Sequence, residues 1–276
     1  MKQYGGKFFR PLPLLSRRRS LLLRLLMIPN FLLTRVYGLE NLSGSESARI
    51  YAFNHNNSLE ALMVPVLLIY LLGGRIISFV IDWMYGKIPI LGSVINMTDP
   101  VYVYHKRSTL PWIEARRPSH VASDTVEQCS ERLLAGRSIG IFPEGKRNRN
   151  PGYLVRGKPG IGHIALHSGV AVVPVGIDFN CRITKGKIPL IGRTIVRIGR
   201  PMHFPYHTAA YLALIADRSY QSNKQSELHR MAADVTHEIM LSLAELSGKR
   251  YGESCPVKSI IFSETTIETK EQTCQV

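Results

Sequence analysis

The spacing of apolar positions changes several times along the 276-residue chain, and each change marks an element. Residues 1–45 scatter leucines among arginines and read as a basic helical segment, broken at Pro29-Asn30 and ended by a turn at Ser43-Gly44. From Ala48 onward strands and helices alternate. Arg49-Ile50-Tyr51-Ala52-Phe53 is a short apolar run suited to a buried strand, Asn54 to Leu59 a polar turn, and Ala61 to Leu72 an apolar helix. Ile76 to Ile81 predicts a second strand, Pro89 and Gly92 a loop with a short helix, and Val101 to Tyr104 a further β-prone run. A helix over Asp124 to Ala135, capped by Ser123 and closed by Gly136, leads to a strand over Ser138 to Phe142. Pro159 opens a helix that ends at Gly169, Val170 to Ile177 and Thr194 to Ile198 predict strands, and Glu227 to Leu246 lines its apolar residues along one helical face.

This alternation predicts an α/β fold, a mixed sheet flanked by helices, with the loops after Phe53, Tyr104 and Phe142 meeting at one sheet edge. Three regions follow: a basic amphipathic segment over 1–45, one domain over 46–250, and a polar, Thr/Glu-rich tail over 251–276 that composition predicts to be poorly ordered, with a short strand conceivable near Ile260. There is no internal repeat.

The formal charge of +15 selects for anionic partners: a membrane surface, a nucleic acid or a phosphorylated substrate. Its distribution narrows the choice. No acidic residue precedes Glu40, whereas Lys2, Lys7, Arg10, Arg17, Arg18, Arg19, Arg24 and Arg35 lie among leucines, a mixture that suits a lipid headgroup interface better than a helix packed only on the domain. Nucleic acid fits poorly, because aromatic residues are not interleaved with the cations as a stacking platform requires. The apolar stretches are short and interrupted by Arg24, Pro29 and Pro65, so a spanning helix is not expected, and the N-terminus has no small-residue cleavage site after its apolar run. Peripheral or monotopic attachment at the cytoplasmic face is the expectation. The four cysteines have no metal-ligand spacing and predict reduced, non-catalytic thiols; no metal is called for.

Candidate chemistry concentrates in two loops. His55 and Glu60 are five residues apart, which on one helix would turn them about 140° from each other. A turn between strand and helix lets the carboxylate accept the Nδ1 proton of His55 and leaves Nε2 as a base. Taken alone, the pair is equally a hydrogen-bonded structural histidine and a glutamate favoured by the helix macrodipole. The second loop, Phe142-Pro143-Glu144-Gly145-Lys146-Arg147-Asn148, sets a carboxylate, a flexible glycine and two cations directly after a strand, a composition suited to phosphate oxygens and also to a solvated basic loop. Arg107, just after its strand, is open to the same two readings.

The order and spacing of these pieces resemble the glycerolipid (lysophospholipid) acyltransferase family, which includes the 1-acylglycerol-3-phosphate acyltransferases. His55 and Glu60 match its H-x-x-x-x-D pair, Val101 to Arg107 its second block, Phe142 to Asn148 its F-P-E-G-T-R-S block, and Val172-Val173-Pro174-Val175 its apolar block around a proline. The resemblance runs from Ile50 to Ile177. Two departures stand out: Glu60 replaces aspartate, and Lys146 and Asn148 replace threonine and serine.

The resemblance implies transfer of a fatty acyl group from an acyl-CoA or acyl carrier protein thioester, a co-substrate rather than a bound cofactor, to a hydroxyl of a lysoglycerophospholipid. It implies His55 as base with Glu60 stabilising its imidazolium, Arg107 and the loop Phe142, Pro143, Glu144, Gly145, Lys146 and Arg147 on the acceptor, and Glu144 orienting Arg107, Arg147 or an acceptor hydroxyl. The implied partners are an anionic membrane surface, the donor thioester, the lysophospholipid and acyl carrier protein. The alternatives are a lipid-binding member of the fold left catalytically weak by the Glu60 and Lys146 departures, and a thioesterase in which water replaces the acceptor at His55.

Overall fold

The computed structural model describes residues 11–44, 47–56, 60–118, 124–148, 150–185, 188–217 and 223–252, with side chains excepted at 60, 61, 180–185 and 188–192. The sheet contains strands β1 (Thr34–Tyr37), β2 (Ile50–Phe53), β3 (Ile77–Asp82), β4 (Val101–Val103), β5 (Ser138–Ile141), β6 (Val172–Lys185) and β7 (Ile188–Ile198). The helices are α1 (Arg17–Leu33), α2 (Glu60–Leu71), α3 (Leu91–Asn96), α4 (Pro111–Glu114), α5 (Thr125–Leu134), α6 (Gly160–Ser168), α7 (Pro205–Ala216) and α8 (Lys224–Ser247).

The strand order is β1-β7-β6-β2-β5-β3-β4. β2 pairs in parallel with β5 and β6, β5 with β3, and β3 with β4, whereas β6 and β7 form an antiparallel hairpin. The sheet is therefore mixed, and the C-terminal ends of β2, β3, β4 and β5 share one edge, the place where an open α/β sheet leaves room for a ligand.

All four residues of β2 are buried, as a central parallel strand with both faces covered requires. Ile50 and Ala52 enter a cluster with Leu133, Ile164 and Val235, from the side of α5, α6 and α8. Tyr51 and Phe53 point the other way, into a cluster with Met27, Leu67 and Tyr70 from α1 and α2. The period-two alternation of one strand thus builds both cores.

Several elements differ from the sequence expectation. α1 runs unbroken through Pro29. The proline lies on the exposed side near the helix end, while the neighbouring Asn30 is buried, donates to Met63 O at 3.0 Å and accepts from the Thr34 hydroxyl at 2.9 Å, tying α1 to α2 and β1. Thr34–Tyr37, expected to lie in the helical segment, pairs with β7 in parallel, so the sheet begins inside residues 1–45. α7 was not expected; its apolar residues surround the helix, with Tyr211 buried and Leu212 and Ile215 exposed, so no single stripe signals it.

The hairpin of β6 and β7 is longer than predicted, and α5 is capped by Asp124, whose carboxylate accepts from Thr125 N–H at 2.7 Å. Ser123, the predicted cap, and the tail from 253 on, including the strand near Ile260, lie outside the described residues.

α1 lies antiparallel on α2: Asn30 meets Met63 at one end, and Leu15 packs over Gly74 at the other, where an added Cβ would lie 2.8 Å from Leu15 Cγ. Leu23, Met27 and Asn30 face inward. Leu21, Leu25, Ile28 and Leu32 form an exposed apolar stripe on another face, and Arg17, Arg18 and Arg19 are exposed at its start. Among the described residues, no helix is long and apolar enough to cross a membrane.

Candidate active site

His55 stands just beyond the C-terminal end of β2, and its main chain is held from both sides by the loop that follows β5. Its N–H donates to Glu144 Oε1 at 2.9 Å, and its carbonyl accepts from Asn148 N–H at 2.7 Å. The flanking asparagines fix the same turn from the opposite neighbour, β6. Asn54, fully buried, donates to Ile177 O at 2.8 Å and accepts from Ile177 N–H at 2.6 Å, so its amide continues the ladder where the strand backbone has turned away. Asn56 donates to the same carbonyl at 2.9 Å and accepts from the Lys249 ammonium.

The imidazole rests against Phe142, centroids 4.8 Å apart, and Phe142 in turn rests on Phe53 at 5.3 Å. Burial, reinforced by the charges of Arg147 and then Lys106, pushes the His55 pKa from 6.5 down to about 4. The ring is therefore neutral near pH 7 and available as a base. Among the described residues its buried Nδ1 has no hydrogen-bond partner.

Glu144 is 1% exposed. The sequence set it beside Arg107, Arg147 or an acceptor hydroxyl; both of its oxygens instead accept main-chain N–H groups, Oε1 from His55 and Oε2 from Val155, each at 2.9 Å. Burial raises its pKa, and the bonds from His55, Val155 and Asn148 together with the nearby Lys249 charge oppose that rise. Gly145 turns the chain with φ +62°, a conformation that calls for glycine, and the end of the Lys158 side chain lies over it. Pro143 is buried, and its carbonyl accepts from Lys158 N–H at 2.9 Å.

The cations divide. Arg147 and Lys106 act electrostatically on His55. Lys106 Nζ lies 2.8 Å from Asp82 Oδ2 at the end of β3 and donates to Gly145 O at 3.3 Å, which bridges two of the converging loops. Arg107 is exposed, and its charge acts on Glu114. Lys146 is exposed. Glu60 is the first residue of α2; its side chain and residues 57–59 lie outside the described residues.

Two functional candidates were absent from the sequence expectation. Lys106 adjoins the predicted Arg107, and only the fold tells which of the two cations turns toward His55. Lys249 carries no local signal, being 193 residues from its partner Asn56. Among the described residues, no group of three or more His, Cys, Asp or Glu side chains is placed to hold a metal ion. Cys129 is buried, which pushes its thiol pKa up to about 12 and leaves it unreactive.

The chain is similar in sequence and in fold to known proteins. A chloroplastic 1-acyl-sn-glycerol-3-phosphate acyltransferase of Arabidopsis thaliana is 30% identical over 140 residues, 51% of this chain and 34% of the relative. The 1-acyl-sn-glycerol-3-phosphate acyltransferase of Haemophilus influenzae is 29% identical over 172 residues, 59% of this chain and 61% of the relative. The matched stretch is thus under two thirds of either relative's length. The crystal structure of the 1-acyl-sn-glycerophosphate acyltransferase PlsC from Thermotoga maritima superposes with a TM-score of 0.52 over 90% of each chain at 20% identity, a likeness of fold. The sequence model of the acyltransferase family matches residues 34–178, from β1 into β6 and across both loops that converge on His55, and the chain belongs to that family.

Proposed function

We propose that the protein moves a fatty acyl group from an acyl-CoA or acyl carrier protein thioester to the free hydroxyl of 1-acylglycerol-3-phosphate. The observation that carries this reading is a neutral His55 fixed at the sheet edge within the field of Arg147 and Lys106. A base and an anion-binding field in one place fit an acceptor with a hydroxyl and a phosphate.

In this reading His55 Nε2 takes the hydroxyl proton as the acceptor oxygen attacks the thioester carbonyl. The carbonyl π pair moves onto oxygen, then returns as the C–S bond breaks, and the thiolate takes the proton from the imidazolium. The ester and the free thiol are the products, with no acyl-enzyme and no redox step. In the same reading Glu60 supplies the partner for Nδ1, a buried atom that has none among the described residues, and so stabilises the transient imidazolium. Glu144 and Lys249 hold the turn that carries His55. Arg107, Lys106 and Arg147 meet the acceptor phosphate, and the exposed stripe of α1 with its arginines rests on an anionic bilayer from which the acceptor is drawn.

Incubating the purified protein with several lysolipids, neutral monoacylglycerol and both thioester donors, followed by mass spectrometry, tests the reading. Phosphatidic acid formed from lysophosphatidic acid supports it. Free fatty acid released at a rate independent of acceptor, with no diacyl product, overturns it.

A further inference from the structure

The chain after β3 and β4 folds into a knot beside the site whose form acyl transfer does not explain. The short turn Trp83–Lys87 lies at its centre, with α3 and α4 packed on it. Trp83 and Ile113 are buried, and the Trp83 indole donates to Lys106 O at 3.1 Å. Gly86 and Gly92 touch: a Cβ on Gly92 would lie 2.3 Å from Gly86 O. The base of the knot is thus close-packed.

From this base Ile90 projects into solvent, 84% exposed. Its backbone sits at φ 63° and ψ −60°, and Leu91 N–H closes onto Pro89 O at 2.7 Å. This is a positive-φ γ-turn, a strained conformation that a β-branched residue tolerates worst. The strain opposes folding and the exposed isoleucine gains nothing from it, so the turn is held by its surroundings, as happens where a conformation serves a contact. Trp112 is also exposed, at 45%, with the Arg116 guanidinium 5.7 Å from its ring centroid. Within residues 83–118 five basic residues, Lys87, Lys106, Arg107, Arg116 and Arg117, oppose two acidic ones. Those two are already engaged, Asp99 with Arg132 and Arg137 and Glu114 with Arg117.

We propose that this knot is a second membrane contact, a wedge in which Ile90 and Trp112 enter the boundary between headgroups and acyl chains of an anionic bilayer while Lys87 and Arg116 meet the headgroups. An apolar tip, an amphipathic tryptophan and exposed cations on a close-packed base are what such an interface selects. The inference rests on the membrane reading above and extends it: α1 alone tethers the protein, whereas the wedge sets the mouth of the site on the bilayer. Lys106 provides the link, its carbonyl anchoring Trp83 and its ammonium reaching Gly145 beside His55. An acceptor can then present its headgroup to the site with its acyl chain still in the membrane.

The test uses vesicles of phosphatidylcholine and phosphatidylglycerol with brominated acyl chains. The chain has two tryptophans and Trp83 is buried, so the fluorescence that Trp112→Phe removes reports Trp112. Blue-shifted, quenched Trp112 emission in the vesicle-bound protein is expected. Ile90→Gly should weaken vesicle binding about tenfold, raise the melting temperature by releasing the strained turn, and leave turnover of a short-chain, water-soluble acceptor unchanged. Full vesicle binding with Trp112 unquenched overturns the wedge and leaves the α1 contact standing. No vesicle binding by any form overturns both. Trp112 emission already shielded without vesicles means that another copy or another part of the chain covers the knot, and that too overturns the proposal.

Discussion

Glu144 accepts a hydrogen bond from the backbone N–H of His55 at 2.9 Å, so the carboxylate of one loop sets the main chain that carries the histidine of another. Its second oxygen holds Val155 N–H, which makes Glu144 a buried tie between three segments. Glu144→Gln keeps the shape but turns an NH2 toward one of these donors. An unsatisfied buried N–H costs about 1–3 kcal/mol. The variant should melt at a lower temperature and lose kcat by more than KM rises, because the base is displaced while the cations on the acceptor remain. Thermal melts and steady-state kinetics check this, and unchanged kcat would show that the tie does not position His55.

The depressed His55 pKa sets the pH dependence. Burial is the first cause and the Arg147 and Lys106 charges the second, so the free enzyme should keep its base down to about pH 4, where kcat/KM falls as pH falls. A bound phosphate offsets both cations, so the acidic limb of kcat should lie above that of kcat/KM. Arg147→Gln should move the free-enzyme limb upward but short of 6.5, since burial persists. Linkage has the same sign: the folded state favours neutral imidazole, so stability is lost as pH falls from about 6.5 toward 4, and His55→Gln should make that slope shallower, the remainder coming from groups such as His163, whose pKa burial also lowers. Paired pH profiles of rate and melting temperature measure both effects.

Much of this was legible in the residues. Short apolar runs ending in polar loops reveal β2, β5 and their shared edge, because a central parallel strand needs both faces apolar. β1 escaped because Thr34-Arg35-Val36-Tyr37 is brief and abuts a leucine-rich helix, so its alternation is lost beside a stronger pattern. Pro29-Asn30 resembled a helix break, although the asparagine is a buried tether. Choosing Lys106 beside Arg107, or finding Lys249 at all, needs the tertiary fold, for nothing in local spacing brings a residue just beyond α8 to the loop that carries His55.

Lys249 is 8% exposed, and its ammonium donates to Asn56 Oδ1 and, at 3.3 Å, to Asn150 O, while its charge counters that of Glu144. Lys249→Met keeps the stem and removes the charge. Hydrogen bonds to a charged group contribute about 1.5–3 kcal/mol, so a clear drop in melting temperature is expected. If the lysine positions the turn, kcat should fall about tenfold or more with KM for the thioester little changed, and Lys249→Arg should restore part of it. Loss of stability with kcat intact would confine Lys249 to a structural role.

Glu60 begins α2 directly after the loop of His55. If its carboxylate serves Nδ1, Glu60→Gln should fold and bind vesicles normally yet turn over at least a hundredfold more slowly, the range associated with losing an imidazole partner. Glu60→Asp shortens the arm by one methylene and restores the family's usual residue; activity equal to or above the parent would identify the acidic site. A harmless Glu60→Gln would leave Glu60 as a residue favoured only by the start of a helix.

If the acceptor carries the proposed phosphate, the three cations can be told apart. Arg147 and Lys106 both lower the His55 pKa, whereas Arg107 is exposed and acts on Glu114. A guanidinium clasps a phosphomonoester through paired hydrogen bonds that an ammonium cannot reproduce. Arg147→Lys should therefore raise KM for lysophosphatidic acid about tenfold, with KM for the thioester little changed. Arg107→Lys should do the same if its side chain swings toward the phosphate on binding. Lys106→Met removes a charge near His55 and the ion pair with Asp82, so it should weaken the acceptor and also raise the acidic limb of kcat/KM, a combination that Arg107→Lys should not produce. Neutral monoacylglycerol provides the decisive comparison: it lacks the phosphate, so its acylation should be slow in the parent and insensitive to all three substitutions. Equal acylation of both acceptors, with acceptor KM unchanged in every variant, would remove the phosphate from the site and leave these cations to the membrane.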